Sequence, residues 1–206
     1  MSRTLIRIAL VAALAAALAL LAGCGGGKQV TRVGTDTTID LSGNWNDVDS
    51  RQAATDLVQQ STSGTPWIEN WLEAKGKKPT IIVGEIRNKS AEHIPLKTLV
   101  AELEKTFINS GRVVVVATAA EREQVRDERA DQQEFATPES MKRWGRERGA
   151  DFMLLGEVNT IIDREGGDEV KFYQVDTYFV NLEDNTKAWV GQTKIKKFVG
   201  RGAYKP

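Results

Sequence analysis

His93 and Cys24 are the only histidine and the only cysteine in the chain of 206 residues, so metal ligation or nucleophilic catalysis would have to begin from them. His93 ends the run Ser90-Ala91-Glu92-His93 just before a helical pattern, with one neighbouring carboxylate. A zinc site needs three or four ligands, usually closely spaced, and no His/Cys cluster supplies them. His93 therefore reads as a loop or surface residue. Two carboxylate pairs, Asp47/Asp49 and Asp127/Asp131, have the residue types for acid/base cleavage of a glycan, which requires two carboxyl groups at a defined separation. Each pair also has a structural reading. The first falls where a helix would begin and its dipole favours anions, and the second lies among Arg126, Glu128 and Arg129 on a solvated face. Gly25-Gly26-Gly27-Lys28 starts like a phosphate loop but continues with Gln29 instead of Ser or Thr. No G-x-S-x-G elbow occurs. The reading is a non-enzyme with no catalytic residue, no cofactor and no metal.

Cys24 has a different chemistry. Arg3 and Arg7 precede an apolar run from Ile8 to Ala22, shorter than the roughly 20 residues that span a bilayer. This is the layout of a secretory signal. Its end, Leu21-Ala22-Gly23-Cys24, resembles the bacterial lipobox, in which the cysteine is diacylated on sulfur, cleavage falls before it, and the new amino group is acylated. The competing reading is an ordinary signal peptide with an incidental cysteine. A lone thiol at a cleavage site in an oxidising compartment argues against it, whereas three acyl chains would anchor the chain stably. Acylation of Cys24 also removes any His/Cys dyad. Gly25 rather than Asp follows the cysteine, which in lipoproteins of this type implies export to the outer membrane.

Removing residues 1–23 leaves 183 residues, with 26 basic against 28 acidic side chains. No basic field for nucleic acid remains. A chain of this size buries about 70% of its unfolded surface, enough for one core. The domains expected are a signal peptide at 1–23, the lipidated cysteine and a short flexible tether at 24–43, and a single domain at 44–206. Fully extended, the stretch from Cys24 to Asn46 spans at most about 70–80 Å at ~3.3–3.6 Å per residue.

Within the domain, Asn46 followed by Asp47 and Asp49 predicts a helix start, with Ala54, Leu57 and Val58 as its apolar stripe. A short second helix has Thr65 as N-cap, Pro66 in first position and Gly76 at its end. TIIVGEIR predicts a buried strand, PLKTLVAELEKTFINSG a helix closed by Gly111, and RVVVVA a second strand. Short connections make this a parallel β-α-β crossover. Thr118 and Glu121 form a capping-box pattern opening a charged helix, and Thr137-Pro138-Glu139 predicts another helix ending near Gly149. Three long strand patterns follow, divided by Gly166-Gly167-Asp168 and Glu183-Asp184-Asn185. The fold class is α/β (α+β), a mixed sheet of about five strands with helices packed on it, in the order α-α-β-α-β-α-α-β-β-β.

The pieces DLSGNWNDVDS, PTIIVGEIRNKSAEHI, INSGRVVVVA, EREQVRDERADQQEFA, GADFMLLGEVNTIID and TKAWVGQTKIKKF, in this order from Asp40 to Phe198, resemble the LpoB family of penicillin-binding protein activators. The resemblance implies a fold related to the N-terminal domain of TolB-like proteins. It further implies an outer-membrane lipoprotein, its domain facing the periplasm, that binds and stimulates a class A (bifunctional) penicillin-binding protein by contact. Known activators of the family carry a long proline-rich tether, and the segment here is short and glycine-rich. The alternative is a structural or assembly lipoprotein of the outer membrane with this fold and another periplasmic partner.

Trp45, Trp67, Trp71, Trp144 and Trp189 have two readings, a recognition surface or core packing, the latter favoured for Trp67 and Trp71 by their spacing of four. The basic stretch Lys194, Lys196, Lys197, Arg201 and Lys205 either guards a sheet edge or meets an acidic partner. The residues assigned to partner contact are Trp45, Lys194, Lys196 and Lys197, with Cys24 the lipidation site.

Overall fold

The computed structural model describes Arg7 and residues 30–35, 37–143 and 145–200. Cys24, Trp144, Arg201, Lys205 and the signal segment apart from Arg7 lie outside the described residues. The chain forms two compact units, Met1–Thr37 and Thr38–Pro206. In the first, the Thr37 N–H donates to the Gly34 carbonyl at 3.1 Å. Residues 40–43, expected as the end of the tether, belong to the second. Among the described residues no helix is long and apolar enough to cross a membrane.

The second unit runs α1 (Asp47–Thr62), α2 (Pro66–Lys75), β1 (Thr80–Asn88), α3 (Leu96–Ser110), β2 (Val114–Val115), α4 (Ala119–Phe135), β3 (Phe152–Glu165), β4 (Asp168–Asn181) and β5 (Lys187–Val199). The sheet order is β2-β1-β3-β4-β5. β1 is parallel to both β2 and β3, and β3-β4-β5 are antiparallel, giving the mixed five-stranded sheet expected. β3 and β4 pair without interruption from Phe152↔Asn181 to Glu165↔Asp168. Gly166 and Gly167, at φ 59° and 95°, form the two-residue turn that this register demands, a conformation costly for other residues.

Burial alternates strictly along the middle of β4: Lys171, Tyr173, Val175, Thr177 and Phe179 are buried and the residues between them half-buried. The buried set faces the helices. Leu57 and Val58 of α1, Ile68 of α2 and Leu99, Leu103 and Phe107 of α3 join Ile81, Leu154, Val158, Tyr173 and Phe179 in one core. Its aromatic centre packs Trp67 on Phe179 at 4.9 Å and on Phe152 at 5.2 Å, with Phe107 edge-on to Phe179 at 5.6 Å, geometries favoured by ring quadrupoles.

Local capping matches the sequence in two places. The Asn46 side chain accepts from Val48 and Asp49 N–H, and Asp49 accepts from Asn46 N–H, a complete capping box. Thr118 and Glu121 do the same for α4. Thr65 occupies the N-cap of α2 but its hydroxyl donates to the Ser61 carbonyl at 2.7 Å instead of capping.

The helix expected from Thr137 to Gly149 does not form. Ser140 and Met141 N–H both bond the Thr137 carbonyl, one turn is made, and Gly145 then takes φ 71°. The segment offers only Met141 and Trp144 as large apolar residues, too few for the buried stripe that holds a helix of this length together. The second strand is also shorter than expected, two residues in place of RVVVVA, which leaves few unpaired groups on that edge.

Candidate functional site

Three groups of charged side chains stand out. The first surrounds α4, which buries none of its residues. Its charges separate by helical spacing: Glu121 and Glu128, with the neutral Gln124 between them, fall on one flank and Arg122, Arg126 and Arg129 on the other. The acidic flank, with Glu104 and Ile108 of α3 and Val115–Ala117, walls a groove of about 520 Å³. There burial, helped by the Glu121 charge, pushes the Glu104 carboxyl above the usual range. The arginine flank, with Val116, Ala117 and Arg146–Arg148, walls a second groove of about 190 Å³.

At the wall of that groove Glu147 is gripped by Arg126, with Nε at 2.9 Å and Nη2 at 2.8 Å, and Arg129 Nη1 adds a bond at 3.2 Å. The hydrogen bonds and charge of Arg126 hold Glu147 below the usual carboxylate range. One carboxylate is set among Arg122, Arg126, Arg129, Arg146 and Arg148. The groove is a cationic surface over an apolar floor, suited to an acidic partner. From sequence, Arg126 and Arg129 read with Glu128 as part of a solvated charged face. The i, i+4, i+7 spacing of Arg122, Arg126 and Arg129 was the available signal, but the contribution of residues 146–148 depends on how the chain folds back.

The second group is a buried ionic clasp on the helix side of β4 and β5. Lys171 is only 6% exposed. Its ammonium meets Glu92 Oε1 at 2.6 Å, Glu169 Oε1 at 3.3 Å and Asn44 Oδ1. Tyr173 donates its hydroxyl proton to Glu92 Oε2 at 2.6 Å and lies 3.2 Å from the Gly43 carbonyl. Beside it, Lys197 bonds Asp40 Oδ1 and Asp49 Oδ2, both at 2.7 Å, and the Asn44 carbonyl at 3.1 Å. Each ammonium thus meets three acceptors, matching its three protons.

Burial alone would raise the Glu92 carboxyl, but bonds from Lys171 and Tyr173 outweigh it and bring it below the ordinary value. Burial likewise opposes the charge on Lys197, and Asp40 and Asp49 outweigh that, raising its pKa. Tyr173 is pushed far up, by burial first and then by Glu92. The clasp straps residues 40–46, which precede α1, onto the sheet.

The third group is the free edge at β5. Lys194 and Lys196 are exposed and point away from the helices, opposite Gln174 and Phe172. Lys197, assigned with them to partner contact, points the other way into the clasp. Trp45 is also internal: 7% exposed, its Nε1–H donates to Ser50 Oγ at 2.8 Å and its ring stands edge-on to Tyr173 at 5.5 Å. Alternation along β5 and the approach of α1 explain both placements, so while the domain keeps this fold only Lys194 and Lys196 of the four assigned contacts face solvent. Trp67 is buried, and Trp71 and Trp189 pack half-buried against the core.

His93 is exposed in the loop before α3. Asp47 pairs with Arg51 at 3.0 Å and Asp49 with Lys197, so each has a structural role. Asp127 and Asp131 are exposed on α4. Among the described residues no group of three or more His, Cys, Asp or Glu is placed to hold a metal ion.

The architecture is a two-layer α+β domain, with α1, α2 and α3 packed on one face of a mixed sheet. The LpoB family model, described as peptidoglycan-synthase activator LpoB, matches residues 49–195, and the chain belongs to this family. Among solved structures it is similar to the LpoB C-terminal domain from Salmonella enterica, at 15% identity over 72% of this chain and 99% of that one, TM-score 0.37. It is similar also to lipoprotein GNA1162 from Neisseria meningitidis, at 14% identity over 61% and 88%, TM-score 0.40. The NMR structure of E. coli LpoB aligns at 14% identity over 84% and 87%, TM-score 0.38. No curated protein matches the chain.

Proposed function

We propose that the protein is an outer-membrane lipoprotein, anchored through acylated Cys24 with its domain in the periplasm, that binds and activates a class A penicillin-binding protein. Family membership across residues 49–195 carries this reading. The exposed cations support it: the arginine groove beside α4, and Lys194 and Lys196 on β5, are surfaces for contact with an acidic partner. Activation is by binding, and the chemistry stays with the synthase. The test is to mix the purified full chain with periplasmic fragments of the host's class A penicillin-binding proteins and measure both affinity and glycan polymerisation. Saturable micromolar or tighter binding with a raised rate is expected. No binding to any of them overturns the reading.

The short tether favours a second reading, an assembly lipoprotein with a partner nearer the outer membrane. Inserting residues between Gly27 and Val30 separates the two. A synthase-dependent gain only in the lengthened chain means that reach was limiting, and no gain at any length favours the nearer partner.

A further inference from the structure

Among the described residues, β5 is an edge strand with one stretch capped and one open. The Gln60 side chain of α1 donates to the Gln192 carbonyl at 3.0 Å and accepts from the Gln192 N–H at 3.3 Å. A side-chain amide thus occupies the place of a neighbouring strand. This identifies Gln192 as a residue whose main-chain groups point away from β4. In an antiparallel ladder such residues alternate, so Lys194, Lys196 and Phe198, in continuous register with Gln174, Phe172 and Val170, aim their N–H and C=O groups at the same free edge. Their side chains share the face turned from the helices, where Phe198 is 69% exposed.

We propose that residues 194–198 of β5 are a strand-addition site for an extended acidic segment of the partner protein; the proposal rests on the function put forward above. Two observations select this occupant. Neither Lys194 nor Lys196 forms an ion pair among the described residues, so an added strand that places carboxylates opposite them gains cross-strand pairs. The same lysines disfavour a second copy. In antiparallel β5-β5 pairing, every register centred from 194 to 196 sets lysine against lysine. An antiparallel partner strand reading apolar, any, acidic, any, acidic would oppose Phe198, Lys196 and Lys194 in turn. Main-chain bonds would supply affinity and alternate side chains specificity.

Amide hydrogen exchange of the full chain, alone and with the periplasmic fragment of a class A penicillin-binding protein, tests this. The Lys194, Lys196 and Phe198 amides should slow at least tenfold in the complex while Gln192, already capped, changes little. The protected partner segment should carry the acidic alternation. Lys196→Pro removes one outward donor, which an edge strand tolerates. It should weaken binding at least tenfold, whereas Lys196→Arg should stay within threefold of the parent. A complex that forms without protection at these amides overturns the strand-addition site and leaves the activator function standing. No complex with any such fragment overturns both. Protection of the same amides in the chain alone, rising with concentration, would instead mean self-pairing and overturn the acidic occupant.

Discussion

The ammonium of Lys171 on β4 lies 2.6 Å from a carboxylate oxygen of Glu92, in the loop before α3, and both side chains are shielded from water. Breaking such a pair leaves an unpaired charge in a poorly solvated site. Lys171→Met is therefore expected to destabilise the fold by about 3–5 kcal/mol, and Glu92→Leu to be similarly harmful. The double substitution should recover a substantial part of the loss, since it strands no charge. Denaturant unfolding of the four proteins as a double-mutant cycle checks this; additive effects would refute the coupling.

The clasp also sets the pH dependence of stability. Glu92 and Asp40 have lowered pKa values in the folded chain. Their contribution is present above their unfolded values, about 4.5 and 3.8, and disappears as pH falls through the folded ones. Lys197, raised in the fold, contributes fully below 10.5 and loses its contribution above. Tyr173, raised from 10.0, acts in the same direction because the unfolded tyrosine ionises first. The unfolding midpoint should hold level near neutrality and fall at both extremes. In Glu92→Gln the fall below pH 4.5 should be shallower, read from denaturant midpoints across pH.

Gly156 on β3 is required for close packing. A Cβ there would run into the backbone oxygen of Asp176 and stand 2.8 Å from Thr177 Cγ2 and 3.2 Å from Ile86 Cδ1. Backbone cannot step aside as a flexible side chain can. Gly156→Ala should lower stability by about 1–3 kcal/mol, measured by thermal or denaturant unfolding.

The two capping boxes should behave differently. Asn46 caps α1, whose Leu57 and Val58 lie in the core, so Asn46→Ala should reduce global stability by about 1 kcal/mol. Thr118 caps α4, which buries nothing. Thr118→Ala should speed amide exchange within α4 and leave the global midpoint nearly unchanged.

The arginine groove gives a charge test of the proposed contact. Arg146→Glu with Arg148→Glu should leave the unfolding free energy within about 0.5 kcal/mol, since both side chains are exposed. Binding to an acidic partner should weaken and lose part of its salt dependence. Isothermal titration at two salt concentrations reads both effects.

What the sequence determined by itself was local. Asn46 and Thr118 announced helix starts, Gly166-Gly167 a tight hairpin, and the alternation in VKFYQVDTYFV a sheet with one buried face, because caps, turns and pleats depend on neighbours within a few residues. The family could also be recognised in pieces from Asp40 to Phe198. Where that local logic needed tertiary support it failed, as at residues 137–149, where a plausible cap had no buried stripe to follow. The tertiary structure alone decided which charges meet. Lys171 finds Glu92 across 79 residues, and Lys197 finds Asp49 across 148. Spacing reveals which face a lysine takes, but its partner is fixed only when the sheet and α1 close over it.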